Sequence, residues 1–261
     1  MRLVIDSHCH LDRIEEFKSS LEGLTAAVTV GTDAARAAKA VELARQDDRV
    51  FAAVGLHPTD ADRLGIEGET AALEALLSEP KVVALGETGF DTHWDDTQLA
   101  AQRDAFEWHA DAAVRHALPL VLHVRDRQGT DDASQASIDA LAAHPDVRGV
   151  LHCCNGHEGL VRTALDLGWM VSFAGNVTYK SASNLRDMAA WIPEDRLMVE
   201  TDAPFLSPEP YRGKPNTPSR VRLTLAVVAE TRGVTASELE RTTDRNTVRF
   251  YGLPQSLLER P

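Results

Sequence analysis

Six residues of types that bind divalent metal ions stand at the ends of short apolar runs. They are His8, His10, Glu87, His123, His152 and Asp202. In an extended chain His8 and His10 share one face, so both imidazoles can reach the same ion. Four imidazoles and two carboxylates suit Zn²⁺, Mn²⁺ or Mg²⁺.

The number of these residues favours two ions over one. Six ligands are too many for one four-coordinate ion with an open position, but they suit two ions about 3.5–4 Å apart that share a bridging carboxylate. Such a pair generates hydroxide near neutral pH and stabilises the attacking and leaving oxygens of a phosphoester. The alternative for any one strand-end histidine is a capping or hydrogen-bonding role.

The spacing of these residues favours a shared site. Positions 87, 123 and 152 are separated by 36 and 29 residues, and position 202 follows after 50. Each interval is close to one or two strand–helix repeats. Residues separated by whole repeats of a β/α barrel meet at its C-terminal rim, where barrel active sites lie.

Two more residues are candidates for contact with a substrate. His57, in the segment GLHP, lies 49 residues after His8 and is expected on the rim outside the metal ligands, with structural packing as the alternative. Arg125 follows His123 by two positions and faces the same way. Its guanidinium could hold a phosphate through two hydrogen bonds, or form a salt bridge to a rim carboxylate.

The other histidines are expected to be structural. His109 and His116 are predicted to face solvent on the fourth long helix. His144 is placed in a loop and His157 at the start of a helix. His93 lies in the loop after Glu87, where a substrate role is an alternative.

Eight aliphatic runs alternate with longer amphipathic segments. The runs occupy residues 3–5, 26–30, 50–54, 82–85, 118–122, 147–151, 169–173 and 196–200. Such nearly continuous apolar runs are typical of strands buried on both faces of a parallel sheet. Helical patterns occupy residues 33–47, 69–78, 96–116, 133–143, 157–167, 182–191, 218–231 and 235–250. The sequence therefore predicts an α/β fold, a TIM (β/α)8 barrel, as a single domain over residues 1–261.

Composition limits the possible partners. The chain has 27 Lys and Arg against 40 Asp and Glu, a net charge of −13, and 5% aromatic residues. This excludes a general basic surface for nucleic acid and a broad base-stacking platform. The composition is compatible with brief contact between nucleic acid and a few basic side chains. The affinity of such contact is expected to depend more on metal than on salt.

Cysteine usage and hydropathy suggest a cellular location. Cys9, Cys153 and Cys154 form no CxxC motif, which predicts no disulfide framework and a reducing compartment. We find no signal peptide and no membrane span, so a cytoplasmic protein is expected.

Seven motifs in this order resemble those of the TatD family of metal-dependent deoxyribonucleases, within the amidohydrolase-like barrels. They are IDSHCHLD, GLHP, LGETGFD, LPLVLHVRD, GVLHCC, VSFAGNVTYK and ETDAPFLSP. The resemblance runs from residue 3 to Asn246. It implies a TIM barrel that hydrolyses DNA phosphodiesters, typically 3′-to-5′ on single strands, with RNA as a second possible nucleic acid. A monomer is expected.

The resemblance also implies a role for each ligand-type residue. His8 and His10 match the first ligand pair, and His123 and His152 match the ligands of the second ion. Glu87 matches the bridging carboxylate.

Asp202 matches the last ligand, which is also the general base toward the nucleophilic water. Asp202 and Glu87 are therefore the expected catalytic residues. Many amidohydrolases bridge their metals with a carbamylated lysine, but here Glu87 holds that position and no lysine follows Lys81 near it. This favours the TatD-like branch.

One segment departs from the family pattern. After strand six the family usually reads His-Cys-Phe-Ser-Gly, whereas this chain has Cys154 and Asn155 in place of the aromatic and the serine. If the family aromatic stacks on a base beside the pocket, its loss changes substrate preference.

Two alternatives to DNA hydrolysis remain. The same site could cleave a D-aminoacyl ester on tRNA, an amide or a small phosphoester. A barrel that keeps its ligands could also serve as a catalytically silent metal-binding scaffold. Turnover on oligonucleotide, D-aminoacyl-tRNA and model phosphodiesters separates these hypotheses.

Overall fold

Eight parallel strands form one barrel in the computed structural model, which describes residues 4–94 and 98–259. The strands are β1 Val4–Cys9, β2 Leu24–Val30, β3 Val50–Val54, β4 Val82–Asp91, β5 Leu120–Arg125, β6 Gly149–Leu151, β7 Met170–Phe173 and β8 Leu197–Val199. Each pairs with the next along the chain. β1 and β8 meet where the amide of His10 donates to the carbonyl of Ala203 (2.7 Å) and that of Asp202 to the carbonyl of His8 (3.0 Å). The predicted TIM barrel is confirmed.

Helices follow the strands and cover the outside of the barrel. Those in the described ranges are α1 Phe17–Ser20, α2 Ala34–Gln46, α3 Glu69–Leu76, α4 Leu99–His116, α5 Asp132–Ala143, α6 Glu158–Asp166, α7 Ser183–Trp191, α8 Val221–Arg232 and α9 Ala236–Tyr251. The Asp33 carboxylate caps α2 by accepting from the amide of Arg36 (2.9 Å). The predicted strand and helix positions at Leu3, Asp96 and Thr97 lie outside the described residues.

Several parts of the chain, among them β4 and α1, differ from the sequence prediction. Strand β4 continues to Asp91, well past the predicted end at residue 85, so Glu87 lies inside the strand. Gly89 makes this extension possible: its φ of 139° suits glycine, and an added Cβ would collide with the carbonyl oxygen of His123 on β5. The helical turn Pro58–Gly65 was not predicted.

The inside of the barrel is filled with side chains below the rim and covered by α9 at the opposite end. Ile5, Val28, Val121 and other inward-facing apolar residues form one buried cluster with the last turn of α9. The Asp244 carboxylate of α9 accepts from the amide of Ile5 (2.9 Å). The described part of the barrel is thus a packed core with α9 at its N-terminal end and the C-terminal rim at the other.

No helix in the described ranges is both long enough and apolar enough to cross a membrane.

Candidate metal-dependent active site

The six ligand-type residues meet at the C-terminal rim, around a cavity of about 640 Å³. Five of them line the cavity, and His8 lies just beneath, 1% exposed. Three groups of these side chains, with His57 in one of them, place their ligand atoms within 4.8 Å of one another. The barrel thus brings together residues that are up to 194 positions apart in the chain.

The imidazoles face one another in two pairs. Nε2 of His8 lies 3.4 Å from Nε2 of His10, and Nδ1 of His123 lies 3.2 Å from Nε2 of His152. Two nitrogens at 2.0–2.1 Å from one tetrahedral ion are about 3.3–3.4 Å apart. Each pair therefore has the separation expected of two ligands of one ion.

Glu87 lies between the two pairs. Its Oε2 is 2.9 Å from Nε2 of His152 and 3.7 Å from Nε2 of His8, and its Oε1 is 3.5 Å from Nε2 of His10. Oε2 is buried and has no hydrogen-bond partner among the residues described. A buried carboxylate oxygen surrounded by ring nitrogens but without a hydrogen bond fits a metal-bridging position.

Asp202 completes the group from the cavity side. Its Oδ1 lies 3.3 Å from Nε2 of His10 and 3.7 Å from Nε2 of His8. Its side chain is 13% exposed, against 3% for Glu87. The backbone of Asp202 has φ 56°, a left-handed conformation that aspartate tolerates better than most residues. Asp202 is thus the carboxylate of this group that solvent and substrate can reach.

Further groups hold the imidazoles in place from behind. Glu200 Oε1 lies 3.1 Å from Nδ1 of His152, and Asp91 Oδ2 lies 3.2 Å from Nε2 of His123. The carbonyl of Val30 lies 3.0 Å from Nδ1 of His10. Such partners fix the ring orientation of histidines that bind metals. Glu200 and Asp91 were not among the predicted site residues, although they lie in the motifs ETDAPFLSP and LGETGFD.

The packing of these groups shifts their protonation. Burial alone would lower the pKa of His152, but the charges of Glu200 and Glu87 raise it well above its usual value. Burial alone would raise the pKa of Glu87, but the neighbouring imidazoles hold it well below its usual value. Burial and the charge of His152 lower the pKa of His8. Protons held between these imidazoles and carboxylates can be displaced by a metal ion that binds the same nitrogen and oxygen atoms.

His57 lies beside these residues on the rim. Its Nε2 is 4.0 Å from Glu87 Oε1, and its Nδ1 accepts from the amide of Thr59 (3.1 Å). The proton of a neutral ring is therefore on Nε2, which lies toward the cavity. Burial lowers the pKa of His57 to about 3, so the ring is a neutral donor.

Arg125 lies on the cavity wall at the end of β5. Its guanidinium is exposed and lies over the ring of Trp94, 5.7 Å from the ring centre. Arg127 has a different role, because its guanidinium donates to the carbonyls of Thr92 (3.4 Å) and Trp94 (3.0 Å) and so supports the loop.

The expectation that His109 and His116 face solvent needs correction. His109 does not face solvent: it is fully buried, and its Nε2 accepts from the amide of Leu56 (3.1 Å), because it lies on the inner face of α4. His116 is half-buried and pairs with Glu74 (2.7 Å). Cys154 lies behind the cavity, where it is 2% exposed and its sulfur is 3.4 Å from that of Met188. Asn155, the other departure from the family pattern, lines the cavity.

Comparison with known proteins places this geometry in a family. Residues 5–252 match the model of the family described as TatD related DNase. The chain belongs to the TatD related DNase family. The "Uncharacterized metal-dependent hydrolase TatD" of Mycobacterium tuberculosis is 38% identical, covering 96% of this chain and 98% of that protein. The "Uncharacterized metal-dependent hydrolase YcfH" of Escherichia coli K12 is 33% identical, with 98% of each chain covered.

A solved structure agrees with this membership. The crystal structure of YjjV, a TatD homologue from Escherichia coli, superposes with a TM-score of 0.86 and 29% identity, covering 96% of this chain and 98% of that one. This member of the TatD family is thus a metal-dependent hydrolase with a barrel fold.

Proposed function

We propose that the protein is a metal-dependent deoxyribonuclease that hydrolyses phosphodiester bonds at the ends of single-stranded DNA, with 3′-to-5′ direction as the family resemblance implies. The observation that carries this proposal is the position of Glu87, whose buried Oε2 lies between two pairs of facing imidazoles. Two divalent ions held by these side chains would supply positive charge for a phosphate undergoing attack and acidify a water molecule near neutral pH. The three cysteines are free, which supports a cytoplasmic location.

The ligand assignment follows from the two pairs. His8, His10 and Asp202 would hold one ion, and His123 and His152 the other, with Glu87 between them. Zn²⁺, Mn²⁺ and Mg²⁺ all suit this set of nitrogen and oxygen donors.

The chain's own residues would carry the proton and position the strand. Asp202, the carboxylate of the group that opens to the cavity, accepts the proton of the attacking water. The water oxygen forms a bond to phosphorus, the bond from phosphorus to the leaving sugar oxygen breaks, and the proton taken up by Asp202 passes to that sugar oxygen. His57 donates from Nε2 to a phosphate oxygen, and Arg125 binds a phosphate through its two-pronged guanidinium.

A cleavage assay on a single-stranded oligonucleotide ladder tests the proposal. The wild-type protein should shorten the oligonucleotide in the presence of Mg²⁺, Mn²⁺ or Zn²⁺ and stop when EDTA is added. His123→Ala and Asp202→Ala should each abolish this activity, whereas Glu158→Gln, an exposed change on α6, should not. An undiminished rate in either active-site variant contradicts the mechanism.

The same preparation separates the other hypotheses. Elemental analysis should find about two metal ions per chain. Hydrolysis of D-aminoacyl-tRNA or of a small phosphoester, without cleavage of DNA, would replace the proposed substrate. Stoichiometric metal with no turnover on any of these substrates would favour the scaffold.

A further inference from the structure

Although the net charge of the chain is −13, positive and negative side chains are unevenly distributed around the rim. The segments after β7 and β8, residues 174–186 and 201–220, contain five cations and two carboxylates. We call these two segments the cationic rim; its cations are Lys180, Arg186, Arg212, Lys214 and Arg220. The segment after β3, residues 55–69, contains four carboxylates and one cation. One side of the cavity is therefore positive and another is negative.

Three of these cations are available to a ligand. Lys180, Arg212 and Lys214 are exposed, and no carboxylate within residues 4–94 or 98–259 lies within 4.0 Å of their nitrogens. Arg186 is occupied with the carbonyls of Val177 (2.9 Å) and Tyr179 (2.7 Å). The rim thus presents three positive side chains whose charge the described part of the fold leaves uncompensated.

Aromatic rings lie among these cations. The Arg212 guanidinium is 4.1 Å from the centre of the Tyr179 ring, and that of Arg220 is 4.1 Å from the centre of the Tyr211 ring. Tyr211 is 39% exposed and Phe205 is 47% exposed. Exposed rings beside cations are the combination with which proteins hold single-stranded nucleic acid, since a base can stack on the ring while a phosphate meets the cation.

The cationic rim continues the wall of the cavity. Asn176, Phe205 and Leu206 line the cavity, and the chain leads from them to Lys180 on one segment and to Tyr211 on the other. The Phe205 ring also lies against that of His10, with centres 5.7 Å apart. A strand bound at the metal ligands therefore meets Phe205 first and the three cations farther out.

The cationic rim is held in one conformation before any strand binds. The amide of Asn216 donates to the carbonyl of Pro204 (2.9 Å), and the Ser207 hydroxyl donates to the carbonyl of Lys214 (2.6 Å). Gly175 allows the two segments to touch, because an added Cβ would collide with the carbonyl oxygen of Leu206. Five prolines between residues 204 and 218 restrict the backbone further. Little conformational entropy is then lost when a ligand binds.

We propose that the cationic rim binds the continuing part of a single nucleic-acid strand whose end lies in the cavity. The strand leaves past Phe205 toward Tyr211, Arg212 and Lys214, and the acidic segment 55–69 disfavours the opposite direction. This inference rests on the proposed function. It accounts for contact with a strand end by a protein of strongly negative net charge. It also adds, to the metal dependence expected from the sequence, a salt dependence that comes from the outer part of the strand.

The test compares two triple variants that lose the same charge. The rim variant is Lys180→Gln, Arg212→Gln, Lys214→Gln. The control is Lys39→Gln, Arg115→Gln, Arg162→Gln, three exposed cations on the outer helices α2, α4 and α6. The metal-loaded proteins are assayed on a single-stranded 12-mer and on a dinucleotide across 50–200 mM NaCl.

The expected difference follows from counterion release. For single strands, each phosphate contact contributes about 0.7 to the slope of log affinity against log salt, so three contacts contribute about 2. From 50 to 200 mM salt, KM of the wild type and control for the 12-mer should rise about fifteen- to twentyfold more than KM of the rim variant. The preference for the 12-mer over the dinucleotide should fall in the rim variant only.

A second variant tests the role of the bases. Tyr211→Leu should weaken binding of the 12-mer by at least about fivefold, and should not change binding of a 12-mer whose outer residues are abasic. If Tyr211→Leu weakens binding of the normal and the abasic 12-mer equally, the cationic rim is a site for polyanions in general. That result would overturn the assignment to nucleic acid.

The remaining outcomes distinguish this inference from the proposed function. Equal salt slopes in the rim and control variants would refute the inference while cleavage of the 12-mer by the wild type upholds the proposed function. If the metal-loaded wild type cleaves neither the 12-mer nor the dinucleotide, the proposed function itself is refuted.

Discussion

The carboxylate of Glu200 lies 3.1 Å from Nδ1 of His152, on the opposite side of the imidazole from Glu87, which is 2.9 Å from Nε2. Glu200 Oε1 also accepts from the amide of Cys153 (2.9 Å), so it is anchored independently of the histidine. The ring of His152 is thus held between two carboxylates, one that supports it and one that shares its proposed ion.

Replacing Glu200 should therefore weaken metal binding without removing a ligand. Glu200→Ala is expected to lower metal affinity about 10- to 100-fold, because His152 loses the partner that orients its ring. Glu200→Gln keeps a hydrogen-bond acceptor and should lose less. Competition with a chromophoric chelator measures both, with Glu158→Gln as a control. Equal affinity in Glu200→Ala and the wild type would show that Glu200 has no such role.

Arg125 should contribute to substrate binding through the geometry of its guanidinium. Arg125→Gln is expected to lower kcat/KM on single-stranded DNA about 10- to 100-fold, from the loss of a charged hydrogen bond of about 1.5–3 kcal/mol. Arg125→Lys keeps the charge but not the two-pronged contact, so it should recover only part of this loss. Steady-state kinetics with Arg162→Gln as control distinguish this from a general charge effect. A full recovery by lysine contradicts the two-pronged contact.

The buried His109 should make the fold less stable in acid. Burial lowers the pKa of His109 to about 4 from 6.5, so the folded protein holds the neutral ring while the unfolded chain takes up a proton first. Above about pH 6.5 both states hold the neutral ring, and the free energy of unfolding has its full value. As the pH falls toward 4, protonation of the unfolded chain lowers the free energy of unfolding by about 3 kcal/mol in all. Urea unfolding between pH 4 and 7.5 in EDTA should show a weaker pH dependence in His109→Gln. Parallel curves for the two proteins would exclude this contribution.

Gly89 should be required for the extension of β4 that places Glu87. Gly89→Ala is expected to destabilise the protein by more than about 1 kcal/mol and to lower metal affinity, because the new Cβ displaces the carbonyl of His123. Gly65→Ala is a matched control, since an added Cβ there meets no atom within 4 Å. Chemical denaturation and chelator competition measure the two effects. Equal stability of both variants contradicts this account of the strand.

The barrel and the convergence of the ligand-type residues could be predicted because both follow from periodicity. A residue at the end of each apolar run must reach the same rim when the strands are parallel, and His8, Glu87 and His123 do so. Relations across the chain could not be predicted in this way. The contact between Glu200 and His152 depends on the register of strands that are not neighbours in the sequence, and no local pattern encodes it.

One wrong prediction could have been avoided. His109 occupies the same helical face as Gln102, Phe106 and Ala113, all buried at three- and four-residue spacing on α4. An imidazole is polar, but the position of His109 in this pattern indicates a buried side chain. The acidic segment 55–69 was missed because the net charge of the whole chain does not distinguish it from a cationic segment such as 201–220.

Helix α9 covers the N-terminal end of the barrel, and the apolar residues packed against it fill the interior. Among the described residues, the packed interior therefore leaves no passage from the cavity through the barrel to its N-terminal end. A nucleotide released by hydrolysis must depart on the rim side, from which the next strand end also arrives, so product and substrate compete for the same cavity. A nucleoside monophosphate should therefore inhibit competitively, and successive cleavages should be separated by dissociation rather than by threading.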